Sequence, residues 1–207
     1  MSTDLIFSIA ILIFSVVVHE VSHGFAARSM GDMTAERAGR LTLNPLVHLD
    51  LFGSIILPFV SFFLGGFVIG WAKPVPYNPY NLSDQRWGEA KVAAAGPLSN
   101  IAIALFFGLI VRFAGGYLSS LSAPSIVNIF ELITVTNLVL ATFNLIPIPP
   151  LDGSKILYSI FPNKFYALRQ NLEKYGFVLL IFFALFLGRF IIPVVGWEFM
   201  LITGRGF

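Results

Sequence analysis

Two histidines four residues apart, His19 and His23, flank a glutamate, Glu20, near the start of the chain. On an α-helix this spacing is about one turn, so both imidazoles project from one face towards a single cation. The carboxylate beside the first histidine can then reach water at that cation and act as a general base. The pattern predicts a hydrolytic metal site. Its ligand types favour zinc, and they would also accept cobalt or iron.

A catalytic zinc site needs a third protein ligand and one open position. Asp152 is the first candidate, because the prolines in 147–150 unwind the chain after an apolar run, and polar groups at such a break are tolerated only where they line a cavity. Its alternative role is the N-cap of a short helix at 153–161. His48, the only histidine outside the motif, is the competing ligand, although a lone loop histidine is more often a hydrogen-bonding residue.

The composition indicates a membrane protein. Of the 207 residues 57% are hydrophobic and 12% charged, about half the charge of a soluble domain. Apolar runs at about 4–30, 89–112, 126–146 and 175–195 are each long enough to cross a bilayer. Glu20 and both histidines therefore lie in or near the membrane, where ionisable groups are usually functional. The absence of cysteine excludes thiolate ligands, and a net charge of +2 is too small to suggest nucleic acid.

The predicted fold is an all-α integral membrane protein, a bundle of four to six transmembrane helices with a small re-entrant β or loop element. Segment 51–71 is either a full crossing or a re-entrant hairpin. A hairpin places ten of the thirteen basic residues on one side, as expected of a cytoplasmic face, and it is favoured, with four full spans and the N-terminus outside. One domain, 1–207, accounts for the chain, with a core at 4–161 and a C-terminal span in 175–207.

Two of the predicted spans carry stripes of small and polar residues. In the span that begins near position 89 they recur every four residues and form a flat face for close helix packing: Gly96, Asn100, Ala104 and Gly108. Asn100 can in addition hold a loop or a substrate backbone. The span 126–146 has a stripe that is predicted to face the helix of the histidine pair: Thr134, Asn137, Ala141 and Asn144.

Three motifs follow one another in a fixed order: HExxH in the first span, Ala-Gly-Pro-Leu-Ser-Asn at 95–100, and Asn-Leu-Ile-Pro with Leu-Asp-Gly in 144–153. With them the chain resembles, over about 19–156, the site-2 protease family of intramembrane metalloproteases. The resemblance implies that His19, His23 and Asp152 bind one zinc ion and that Glu20 is the general base. It also implies that Asn144 contacts the substrate or the developing oxyanion.

The stretches 44–50 and 70–76 look like those of a short prokaryotic subgroup, which implies a multi-pass protein of a prokaryotic cytoplasmic membrane. The implied reaction is hydrolysis of peptide bonds in transmembrane segments of other proteins, within the lipid bilayer. An extended segment in this family is thought to pair with substrate, and the strand-like stretches 41–49 and 70–78 are predicted to supply it. His48 and its neighbour Asn44 are candidates for supporting a ligand or contacting substrate.

Two other functions use the same residues. A metal transporter would use the histidines and Asp152 as a transit site, and a membrane scaffold would keep the fold without catalysis. The intact Glu20 argues against a scaffold, which needs no base beside two metal ligands.

Overall fold

The computed structural model describes residues 2–56, 60, 72–120, 124–161 and 166–206. The α-helices in these ranges are α1 (Ser2–Ser29), α2 (Thr34–Arg37), α3 (Gly88–Ser120), α4 (Pro124–Asn144), α5 (Asp152–Ile160) and α6 (Tyr166–Thr203). Short 3₁₀ turns lie at Pro45–His48 and Pro79–Asn81, and Leu51–Ile56 is a π-helical turn. The described ranges contain no β-strand.

Three helices in this part of the chain are long and apolar enough to cross a membrane: Ile6–Ser29, Gly88–Ser120 and Ser125–Asn144. They match the spans predicted at 4–30, 89–112 and 126–146, so the all-α membrane fold is confirmed. The fourth predicted span, 175–195, lies within α6. Helix α1 ends at Ser29, and Gly31 shortly after it takes a positive φ of 99° that a side chain would disfavour.

Helix α3 is the centre of the bundle and packs against α1, α4, α5 and α6. Its predicted face of small residues is buried along the whole helix. Gly108 illustrates why the residues are small, since a Cβ there would lie 2.5 Å from the Ile202 side chain of α6. The stripe on α4 is also buried at Thr134, Asn137 and Ala141.

The predicted β element is wrong for 41–49. Asn44 caps a 3₁₀ turn there, because its side-chain oxygen accepts a hydrogen bond from the Leu46 N–H (3.1 Å) and Pro45 suits the first position of the turn. The segment 72–78 is irregular and meets the 3₁₀ turn through one backbone hydrogen bond, from Lys73 N to His48 O (2.8 Å). The re-entrant hairpin predicted at 51–71 lies mostly outside the described residues. Residues 70 and 71 of the predicted strand-like stretch 70–78 also lie outside them.

Candidate metal centre

The structure brings His19 and His23 of α1 against Asp152 of α5. The Nε2 atoms of the two histidines lie 3.1 and 3.2 Å from the same carboxylate oxygen, Oδ2 of Asp152. The imidazole rings are nearly perpendicular, with centroids 4.7 Å apart, and all three side chains are buried. One ligand atom from each residue lies within 4.8 Å of the others, and the described residues contain no other group of this kind.

Asp152 reaches this position because α5 begins directly beside the end of α4. Helix α4 ends at Asn144, and the proline-rich stretch that follows turns the chain back within a few residues. Gly153 permits the close approach, since a Cβ there would clash with the backbone carbonyl of Leu145. The carboxylate therefore sits in the first turn of α5, the end of a helix that favours negative charge. The short helix predicted at 153–161 is present as Asp152–Ile160, and its N-cap is Leu151, so the alternative role of Asp152 as the N-cap is wrong.

The remaining nitrogen of each imidazole is held by an oxygen of α3. Nδ1–H of His23 donates to the backbone carbonyl of Val92 (2.7 Å), and Nδ1–H of His19 donates to Oδ1 of Asn100 (2.6 Å). These bonds place the protons on Nδ1 and leave the Nε2 lone pairs facing Asp152.

Two nitrogen lone pairs and a carboxylate oxygen thus converge on one point, and they repel one another unless a cation lies between them. Two imidazole nitrogens and one oxygen, with orienting partners behind the rings, form a ligand set of the catalytic zinc type. The residues present therefore fit one zinc ion.

Gly96 of α3 leaves room for the two imidazole rings of the metal centre. A Cβ at this position would lie 2.5 Å from Nε2 of His23 and 2.6 Å from Nε2 of His19. Any side chain would therefore press against the edges of both imidazole rings and displace at least one of them. The small residue that the sequence suggested for helix packing also shapes the metal centre.

Glu20 lies between the two histidines in sequence, and its carboxylate turns towards the 72–78 segment. Its Oε2 accepts a hydrogen bond from the backbone N–H of Val75 (2.8 Å). The Val75 side chain is buried close to Gly24, one turn further along α1. The base predicted from the motif is thus attached to a residue 55 positions away in sequence.

The other predicted site residues have local partners. His48 is buried, and its Nε2–H donates to the carbonyl of Thr42 (2.9 Å), so it lies outside the group that could hold the metal. The side-chain amide of Asn144 donates to the carbonyl of Leu140 in its own helix (2.9 Å). Asn44 is exposed and serves as the cap of its turn.

Besides the bond between Val75 and Glu20, two further contacts at the site were not predicted. The Val92 carbonyl is a backbone group, so its residue type carries no signal. Lys155 lies three residues after Asp152, with Nζ 3.9 Å from the other carboxylate oxygen and 5.3 Å from the ring centroid of Tyr77. The spacing on one helix face was a signal that could have found it.

Comparison with known proteins gives a family and several relatives. The model of peptidase family M50 matches residues 7–120 and 115–187. The chain is 39% identical over 186 residues to "Putative zinc metalloprotease YwhC" of Bacillus subtilis (strain 168), covering 87% of this chain and 81% of that protein. No solved structure matches.

Two further relatives have the same printed description. Rip2 of Mycolicibacterium smegmatis is 30% identical over 191 residues, covering 90% of this chain and 70% of that protein. MJ0611 of Methanocaldococcus jannaschii is 32% identical over 160 residues, covering 73% of this chain and 72% of that protein.

Proposed function

The chain belongs to peptidase family M50, the site-2 protease family of intramembrane zinc metalloproteases, and we propose that it is an endopeptidase of the HExxH type acting on transmembrane protein segments. In this proposal His19, His23 and Asp152 hold one zinc ion and Glu20 is the general base. The observation that carries it is the convergence of two Nε2 atoms on one oxygen of Asp152, at 3.1 and 3.2 Å.

Zinc bound by these three residues supplies a Lewis acid that polarises a peptide carbonyl and makes water a nucleophile near neutral pH. The chain's own residues move the protons and hold the reacting groups in place. Glu20 takes a proton from the attacking water and delivers it to the nitrogen of the leaving amine. The Val75 N–H holds one oxygen of that carboxylate at 2.8 Å, so the side chain is oriented before substrate arrives.

Asn144 is the proposed donor to the oxyanion. Its amide nitrogen carries two N–H groups, and one donates to the carbonyl of Leu140. That bond fixes the amide plane and leaves the second N–H for the substrate oxygen. Removing a donor of this kind costs about 2.7–4 kcal/mol of transition-state stabilisation in a hydrolase with a preorganised site.

The substrate must enter as an unwound segment, because the carbonyls of an intact helix are already hydrogen-bonded. The prediction that it adds as a strand to 41–49 does not hold, since that stretch forms bends and a 3₁₀ turn. In 72–78, Pro74 and Pro76 have no N–H, and the N–H groups of Lys73 and Val75 are bonded within the protein. We propose that substrate N–H groups donate hydrogen bonds to backbone carbonyls of 72–78. We also propose that the whole chain forms one domain and lies in the cytoplasmic membrane.

Glu20→Gln tests the proposal in liposomes that contain a labelled transmembrane model substrate. The variant should bind zinc as the wild type does and lose hydrolysis, with cleavage products scored by mass spectrometry. Glu36→Gln is the matched control, since Glu36 pairs with Arg28 at the surface (3.1 Å). Hydrolysis that survives in Glu20→Gln would reject this base, and a folded wild type without bound zinc would reject the protease.

A further inference from the structure

A buried polar cluster extends from the metal centre into the helix bundle, on the side of His19 away from Asp152. It contains Ser15 of α1, Asn100 of α3 and Asn137 of α4. The side chains are enclosed, since Asn100 and Asn137 are 0% exposed and Ser15 is 4% exposed. Amides buried this deeply in a membrane bundle must satisfy their hydrogen bonds with each other.

The direction of every bond in this cluster is determined by backbone carbonyls, which can only accept. Nδ2 of Asn137 donates to the carbonyl of Ile133 (2.9 Å) and to the hydroxyl oxygen of Ser15 (2.9 Å). The opposite end of that amide, Oδ1, therefore faces Asn100. Asn100 must meet it with a donor, and its Nδ2 lies 2.8 Å from Oδ1 of Asn137.

The same nitrogen of Asn100 also donates to the backbone carbonyl of Ser15 (3.3 Å). With Nδ2 committed twice, only Oδ1 of Asn100 remains for His19, at 2.6 Å from Nδ1. An acceptor at this place requires that the imidazole proton be on Nδ1. The Nε2 lone pair is then available on the side of Asp152.

We infer that Asn137 is a positioning residue of the metal centre, which acts through Asn100 to fix the tautomer of His19. Asn137 contacts neither a metal ligand nor the substrate. The inference rests on the proposed function of His19 as a zinc ligand. If the Asn100 amide turned over, its N–H would face Nδ1 and move the proton to Nε2. That tautomer cannot bind a metal ion through Nε2.

Zinc affinity in detergent, measured by competition with a chelator, tests this inference. Asn137→Leu keeps the size of the side chain, removes the acceptor for Asn100, and should weaken zinc binding about tenfold, at the low end of the range for partners behind a ligating histidine. Asn137→Asp is the conservative variant. Its protonated carboxyl accepts from Asn100 and donates to Ile133, so it should restore affinity close to that of the wild type.

Thr134→Val is the matched control for loss of a buried polar group. Thr134 is 0% exposed on the same helix, and its hydroxyl donates to the Phe130 carbonyl of that helix (2.8 Å). This variant should keep wild-type affinity and the wild-type absorption spectrum of bound cobalt(II), whereas Asn137→Leu should change that spectrum.

The possible results separate the two proposals. Wild-type affinity in a folded Asn137→Leu protein would overturn the role of Asn137 and leave the zinc site intact. Equal losses in Asn137→Leu and Asn137→Asp, or in Thr134→Val, would show a packing effect and overturn it as well. A wild type that binds no zinc would overturn the proposed function, and the inference with it.

Discussion

The carboxylate of Glu20 is joined to the backbone N–H of Val75 by a hydrogen bond of 2.8 Å. The bond links the helix of the metal ligands to a segment that Pro74 and Pro76 make stiff. That segment has further attachments, because Arg40 donates to the carbonyl of Lys73 (2.7 Å). The orientation of the proposed base therefore depends on a backbone position 55 residues away in sequence.

Val75→Pro removes this N–H without removing an apolar side chain. We expect a loss of hydrolysis of roughly 10- to 100-fold, since a reacting group displaced by about 1 Å loses that much. Zinc content should not change, because Glu20 is not one of the proposed ligands. Val75→Ala keeps the N–H and is the matched control, and its activity should stay well above that of Val75→Pro. Equal activity of Val75→Pro and wild type would show that the bond does not orient the base.

Gly96→Ala should damage the metal centre directly. Its Cβ would lie 2.5 to 2.6 Å from the histidine ring atoms, so one or both imidazoles must move. We expect zinc affinity to fall by at least tenfold, as for disrupted support of a ligand. Gly116→Ala in the same helix is the control, since a Cβ there meets nothing within 4 Å. Chelator competition measures the zinc affinity of both variants. Equal affinities would mean that the metal centre accommodates the added methyl group.

The helices and the metal group follow from local patterns in the sequence. Apolar length predicted three of the spans, and the spacing of His19 and His23 together with the proline break before Asp152 predicted three side chains that lie together. Val75 and Val92 could not be predicted, because they contribute a backbone N–H and a backbone carbonyl that depend on tertiary packing. The strand expected at 41–49 failed because the Asn44 cap and Pro45 favour a local turn over strand pairing.

His48 offers a test of a structural against a ligand role. It is 1% exposed, its Nε2–H donates to Thr42, and its carbonyl accepts from Lys73. His48→Gln can retain the bond to Thr42, so we expect full zinc content and a small loss of stability. His48→Ala should also retain zinc but lose about 2–3 kcal/mol of stability through the cavity and the missing bond. Zinc loss in a folded His48→Gln protein would move the third ligand from Asp152 to this turn.

Asp32 connects the end of α1 to the chain that leads into α3. It is 0% exposed and accepts hydrogen bonds from the Thr34 hydroxyl (2.6 Å), the Asn78 N–H (2.7 Å) and the Asn81 amide (2.9 Å). Burial alone would raise the pKa of the Asp32 carboxyl. The bonds from Thr34, Asn81 and Asn78 together outweigh burial, so the pKa is lowered from 3.8.

Stability should therefore depend on the charge of Asp32. Because its pKa is lower in the folded chain than in the unfolded one, its contribution is fully present above pH 3.8 and is lost as the pH falls through the lowered value. Asp32→Asn should cost on the order of 2–3 kcal/mol at pH 7, since bonds to a charged acceptor are lost and an amide N–H faces donors. The difference in stability between this variant and wild type should shrink as the pH falls below 3.8.

Glu36→Gln is the control, and its stability should stay near that of wild type at pH 7, because a surface ion pair contributes little. The measurement is the melting temperature of each protein in detergent as a function of pH. A difference between Asp32→Asn and wild type that does not change with pH would mean that the side chain acts by shape rather than by charge.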